Sequence, residues 1–276
     1  MAHIIDTAPA FEAFAESAAL ESPFTREQLW RDRYEAAHPD VFASFYAGDV
    51  SPRRPLAQVR ELARVRRQAA AAAAALAPVI NEVDETVRTM LGLPAEPAPA
   101  HVLLVGGGSV NASVGRLGGG VAVFHCLEWF RAAEDWRVLA AHETTHAWHE
   151  IALDGTPPDD DLAWITFSEG LAVRGSQEAV PGRAECDYFW YGHAGFDRWL
   201  AWCHEHEAQL RSHLRERLTD ASAADALFGA GRYEGHSRTG YFVAARLLAD
   251  TQHSLAELVR LTTTEASDLI RSALAS

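Results

Sequence analysis

Residues 131–153 read RAAEDWRVLAAHETTHAWHEIAL, and the organisation of the chain is best worked outward from them. Glu134 and Asp135 stand where the positive end of a helix dipole favours acids, and Asp154-Gly155 supplies a C-terminal stop. In the helix so predicted, His142 and His146 occupy positions i and i+4. They project one turn apart from one face, close enough for both imidazoles to reach one Zn²⁺. Glu143 follows the first histidine directly and is angled toward water activated at such an ion, whose proton it can take and pass on.

Two histidines leave the set incomplete. The metzincin pattern would place Gly at 149 and His at 152, but the chain has His149 and Ala152 there, which excludes that form. A carboxylate from the next helix is the other route. Ser168-Glu169-Gly170-Leu171-Ala172 offers Glu169, with 22 residues between it and His146. That gap lets the first helix end, a loop turn and a second helix return alongside. Glu169 then completes a His₂Glu set with a fourth position open. Competing readings are a capping or surface acid for Glu169 and Glu150 as an outside alternative ligand. His149 continues the stripe but lies about 10 Å from His142 along the axis, and is expected at the rim.

Composition narrows the chemistry. The chain has 276 residues, and its 24 basic side chains are all Arg. Without Lys there is neither a Walker-type phosphate loop nor a Schiff-base amine. Against 38 acids this leaves a formal charge of −14, which argues against a nucleic-acid footprint and favours neutral or basic over acidic peptides. Cys126, Cys186 and Cys203 are odd in number and far apart, so a reducing, cytoplasmic setting is expected. The N-terminus lacks a signal-peptide pattern, and the longest apolar run, Ala69 to Ile80, is too short to span a bilayer. No membrane role follows.

Upstream, residues 1–98 read as a helical N-terminal region, with helices at 55–76 and 81–91 on either side of Pro78 and a proline-rich connector at 94–99. Residues 99–276 form the rest. His101–Val105, Val110–Val114 and Val121–His125 read as three strands of a small antiparallel meander, joined by glycine turns. The run Gly106-x-Gly108 has Asn111 where a dinucleotide loop needs its third glycine. Further helices are expected at 165–178, 196–218, 222–228, 240–251 and 255–275. The fold class is therefore α+β, mainly α, with the sheet preceding the HExxH helix.

HETTH followed by SEGLA resembles the gluzincin arrangement of zinc metallopeptidases. More narrowly, the chain is similar to a family of predicted zinc-dependent proteases in which HExxH is followed by an E-G-L-A segment and later by a G-Y element, here Gly240-Tyr241. The resemblance covers roughly residues 101–250. It implies a zincin-like fold, one Zn²⁺ per chain and hydrolysis of a peptide or protein substrate. It also implies a strand lining the cleft, here Val121 to His125, whose free edge would pair with extended peptide through Val121 and Val123. Gluzincins use a Tyr or His beyond the third ligand for the oxyanion. In Gly235-His-Ser-Arg-Thr-Gly-Tyr241 this points to Tyr241, with His236 as substitute and Arg238 as anchor for a substrate carboxylate. Tyr241 as a core aromatic is the competing reading. Tyr188, Tyr191 and His193 are candidate cleft walls. The chain departs from the best-studied pattern at Val173, where an Asp often buttresses the ligands, and Asp160 and Asp161 are the substitutes considered. Cys203-His-Glu-His206 mimics a metal cluster but reads as a solvated helix face. The rival function is a non-catalytic, metal-binding or regulatory module on the same fold.

Overall fold

The computed structural model describes residues 1–48, 59–108, 110–153, 158, 161–220 and 222–275. The chain is mainly helical with a small mixed sheet, and divides into two compact units, residues 1–85 with 96–136 and residues 86–95 with 137–276. The proline-rich stretch 94–99, expected to separate region 1–98 from 99–276, instead spans one crossing between the units. Asp154-Gly155, Asp160 and most of the expected loop 156–161 lie outside the described residues. Among the described residues, no helix is long and apolar enough to cross a membrane.

The first unit holds β1 (His3–Asp6), α1 (Ala8–Ala18), α2 (Pro23–Leu29), α3 (Pro39–Ala47), most of α4 (Val59–Met90), β2 (Ala100–Leu104), β3 (Ala112–Leu117) and β4 (Gly120–Cys126). The sheet order is β1-β2-β4-β3, with β1–β2 and β2–β4 parallel and β3–β4 antiparallel. Three of the four strands lie where they were expected. The antiparallel meander is corrected, because β2 does not pair with β3. Its His101–Leu104 run is buried throughout, as suits a strand inserted between two neighbours. Gly118 and Gly119, with φ of 60° and 84°, close the β3–β4 hairpin in the two-residue, positive-φ geometry that matches strand twist.

One consequence concerns β4. It is hydrogen-bonded on both sides, to β2 and to β3, so it presents no free edge, and Val121 and Val123 are buried. The expected pairing of peptide along this strand is therefore corrected: from Ala122 to His125 both edges already face a neighbouring strand.

The core of this unit is aromatic. Phe11, Phe14, Trp30, Tyr34 and Phe42 meet at centroid distances of 4.8–6.4 Å. The Tyr34 hydroxyl lies 2.8 Å from Thr7 Oγ1 and accepts from the Val105 amide at 2.7 Å, tying that cluster to the end of β2. The loop after β2 is held from below by buried Glu128, whose carboxylate accepts from the Gly106 and Gly108 amides. These glycines thus wrap a carboxylate of the chain itself. Helix α4 runs through Pro78 without a break, against the two helices expected there. Alanine-rich sequence before Pro78 and a buried stripe of Leu76, Val79, Ile80, Val83 and Val87 outweigh the lost hydrogen bond.

The second unit is helical. It contains most of α5 (Ala133–Ala152), then α6 (Leu162–Ala179), α7 (Glu185–Phe189), α8 (Asp197–Glu205), α9 (Glu207–Arg217), α10 (Ala223–Phe228), α11 (Thr239–Ala249), α12 (Leu255–Leu258) and α13 (Thr263–Ala275). Two glycines set the packing around α6. A Cβ on Gly170 would meet the Ala244 carbonyl oxygen of α11 at 2.6 Å, and one on Gly175 would meet Thr145 Oγ1 of α5 at 2.2 Å. The Gly of the E-G-L-A segment therefore brings α11 against the residue beside Glu169. Asp161 caps α6 through the Ala163 amide and binds Ser267 and Arg271 of α13.

Candidate metal centre

Helix α5 is buried around most of its circumference from Val138 to His149, so its polar residues are enclosed by neighbouring helices. His142 is 1 % exposed at its side chain and His146 18 %. His142 Nε2 lies 3.2 Å from His146 Nε2 and 3.2 Å from Glu169 Oε2, and His146 Nε2 lies 3.4 Å from the same oxygen. The sequence-derived triad thus converges, and among the described residues it is the one group of three or more His, Cys, Asp or Glu side chains that could hold a metal ion.

The donor triangle fits a small tetrahedral cation. Edges of this length belong to a tetrahedron whose corners lie about 2.0 Å from its centre, the range of zinc–nitrogen and zinc–oxygen bonds. The electrostatics agree. Burial lowers His142 to about 4, which keeps its imidazole neutral and its lone pair available. Burial would raise the Glu169 carboxyl, but His146 and His142 outweigh it and hold it well below the usual range. Burial would likewise lower His146, yet Glu169, Glu143 and Glu150 turn the shift upward. Two facing imidazole nitrogens sharing one carboxylate oxygen is an arrangement that a cation completes.

The supporting residues differ from those expected. Asp161 is occupied with capping and with Ser267 and Arg271, and does not reach the histidines. The partner of His146 Nδ1 is Ser168 Oγ at 3.1 Å. Sequence reasoning missed it, although its signal is the Ser that immediately precedes Glu169. His142 Nδ1 is buried without a hydrogen-bond partner among the described residues. Glu143 is 8 % exposed, and burial pushes its carboxyl up to about 7.

Around the triad stand two tyrosines and an arginine. The Tyr191 ring lies 5.1 Å from that of His142, edge-on, and the Tyr241 ring 6.0 Å. Tyr191 donates to the Tyr241 hydroxyl across 3.5 Å, and burial raises both phenols, which keeps them as neutral O–H donors. The guanidinium of Arg238 lies over both rings. His236 is placed differently: its ring stacks on Trp202 at 3.7 Å and its Nδ1 lies 3.0 Å from the Glu234 carbonyl, with no contact to the triad among the described residues. His149, expected at the rim, is 2 % exposed and packs on Trp164 and Phe167. Tyr188 is a structural residue whose hydroxyl donates to the Val180 carbonyl. In the 203–206 segment, Cys203 is buried, His204 pairs with Glu185 and His206 stacks on Trp202. Comparison with family models, with curated proteins and with solved structures returned no match for this chain.

Proposed function

We propose that the protein is a zinc-dependent hydrolase that cleaves peptide bonds on a zincin-like scaffold. The observation that carries this reading is the His142–His146–Glu169 donor triangle with Glu143 beside it on the same helix. His142, His146 and Glu169 would hold one Zn²⁺, which supplies a Lewis acid that polarises a carbonyl and acidifies water. Glu143 takes the proton from the attacking water and delivers it to the leaving amine. Tyr241, whose hydroxyl stays protonated, donates a hydrogen bond to the oxygen on which charge develops. Tyr191 orients that hydroxyl through its own O–H. His142, Glu143 and Tyr241 are buried, which strengthens their interactions with developing charge, while His146 and Glu169 remain partly open to solvent.

A Glu143→Gln variant tests the assignment. It is expected to retain one zinc per chain by metal analysis while peptide turnover falls at least ~100-fold, the scale of a lost general base. A variant that cleaves a peptide library as fast as wild type would falsify the mechanism. Wild-type zinc protein that turns over none of the library would favour a non-catalytic metal-binding module.

A further inference from the structure

Arg238 is a part-buried cation in no ion pair among the described residues, although the Glu169 carboxylate acts on its charge from a distance. Its Nε donates to the Phe189 carbonyl at 2.9 Å, while no Asp or Glu pairs with it among the described residues. Its guanidinium carbon lies 4.1 Å from the centre of the Tyr241 ring and 4.3 Å from that of Tyr191. Contact with ring faces takes up the charge of a guanidinium but offers its N–H donors no lone pair to bond. Nη2 is such a donor: it is shielded from solvent and has no hydrogen-bond partner among the described residues.

The backbone is held in an uncommon conformation at the same place. Tyr191 and Arg238 have φ of 53° and 63°, and Glu234 is the one other non-glycine residue described with positive φ. Left-handed backbone at such residues persists where the surroundings over-determine it, and it gathers at ligand clamps. Helix α11 starts directly after Arg238 with no side chain capping it, so its positive end adds to the same charge. Both tyrosines also flank His142. Each ring therefore neighbours both the cation and the candidate metal ligand, and the two are no further apart than the 4.3 Å and 5.1 Å legs that meet at Tyr191, a distance of a few extended peptide residues at about 3.3–3.6 Å each.

We propose that Arg238 docks a carboxylate of the substrate, so that the bond presented to the His142–His146–Glu169 centre lies within a residue or two of that group. This inference rests on the peptidase reading above. The guanidinium fork matches a carboxylate through paired N–H···O bonds, which an ammonium cannot reproduce. The carboxylate is either a free C-terminus, which makes the enzyme a trimmer of C-terminal residues, or an acidic side chain next to the cleaved bond.

Binding to the full-length zinc protein in a Glu143→Gln background, where the ligand is not consumed, provides the test. The probes are acetyl-Ala-Ala-Phe as free acid, its C-terminal amide, and acetyl-Ala-Ala-Glu amide, titrated calorimetrically. One carboxylate-bearing probe is expected to bind at least tenfold more tightly than the neutral amide, and Arg238→Gln is expected to abolish that difference. Preference for the free acid identifies a C-terminal group; preference for the glutamyl amide identifies a side chain. Equal binding of all three, or a preference that survives Arg238→Gln, overturns the proposal. Should the glutamine variant not fold, Arg238→Lys keeps the charge without the fork and is expected to cut the preference at least fivefold; an undiminished preference overturns the proposal. Turnover separates this from the parent reading. Zinc protein with Glu143 intact that cleaves all three probes equally sinks the anchor alone, whereas one that cleaves none yet still discriminates in binding sinks hydrolysis alone.

Discussion

The hydroxyl of Ser168 lies 3.1 Å from Nδ1 of His146, while the next residue, Glu169, brings Oε2 to 3.4 Å from Nε2 of the same ring. Two consecutive residues of α6 thus address both nitrogens of one imidazole, one orienting it and one sharing its outward face.

Loss of that orienting contact has a measurable cost. Ser168→Ala removes the acceptor that holds the proton on Nδ1 and leaves Nε2 as the free lone pair. Zinc affinity is expected to fall ~10–100-fold, read by competition with a chromophoric chelator. Undiminished affinity would show that packing alone orients the ring.

Close approach of α5 and α6 sets a second expectation. A Cβ on Gly175 would sit 2.2 Å from Thr145 Oγ1 and 3.0 Å or less from two further atoms of that buried side chain. Gly175→Ala is expected to destabilise the protein by about 1–3 kcal/mol in denaturant unfolding. Adding Thr145→Ala should recover part of the loss, and additive losses would place the strain elsewhere.

In the first unit, Tyr34→Phe removes the hydroxyl that serves both Thr7 Oγ1 and the Val105 amide. Thr7 keeps its bond to the Leu103 carbonyl, but the buried Val105 N–H loses the acceptor it has here. A loss of about 1–3 kcal/mol is expected at nearly constant volume. Hydrogen exchange at Val105 should accelerate; protection equal to wild type would contradict this account.

Glu128 makes stability depend on pH. Burial pushes its carboxyl from 4.5 up to about 7, against the opposing effect of the loop amides. Because the folded value lies above the unfolded one, its contribution is fully present below pH 4.5 and is lost as pH rises through 7. Over that window the loss is on the order of 3 kcal/mol. The unfolding free energy of wild type minus that of Glu128→Gln should therefore decline between pH 4.5 and 8. A difference that stays level across this range would contradict it.

Legibility in the sequence followed the range of the interaction. The HETTH helix was readable because its donors sit at i and i+4, where helix geometry alone places them side by side. Glu169 was readable as a spacing, and the structure supplies the convergence. Pro78 misled because the burial of α4 overrides a local helix breaker. Strand β4 misled because β2 bypasses its sequence neighbour β3 and pairs with β4 in parallel, which leaves β4 in the interior of the sheet.

By itself the sequence determined the helical character, three of the four strands, the absence of lysine chemistry and the pairing of His142 with His146 on one helix face. Periodicity and residue type carry those, since each is settled within a few turns of chain. Only the tertiary structure decided that Ser168 orients His146, that His236 lies against Trp202, and that Arg238 is held between Tyr191 and Tyr241 beside His142. Those placements depend on how closely α5, α6 and α11 approach, and that distance is set by Gly170 and Gly175, whose missing side chains no local pattern interprets.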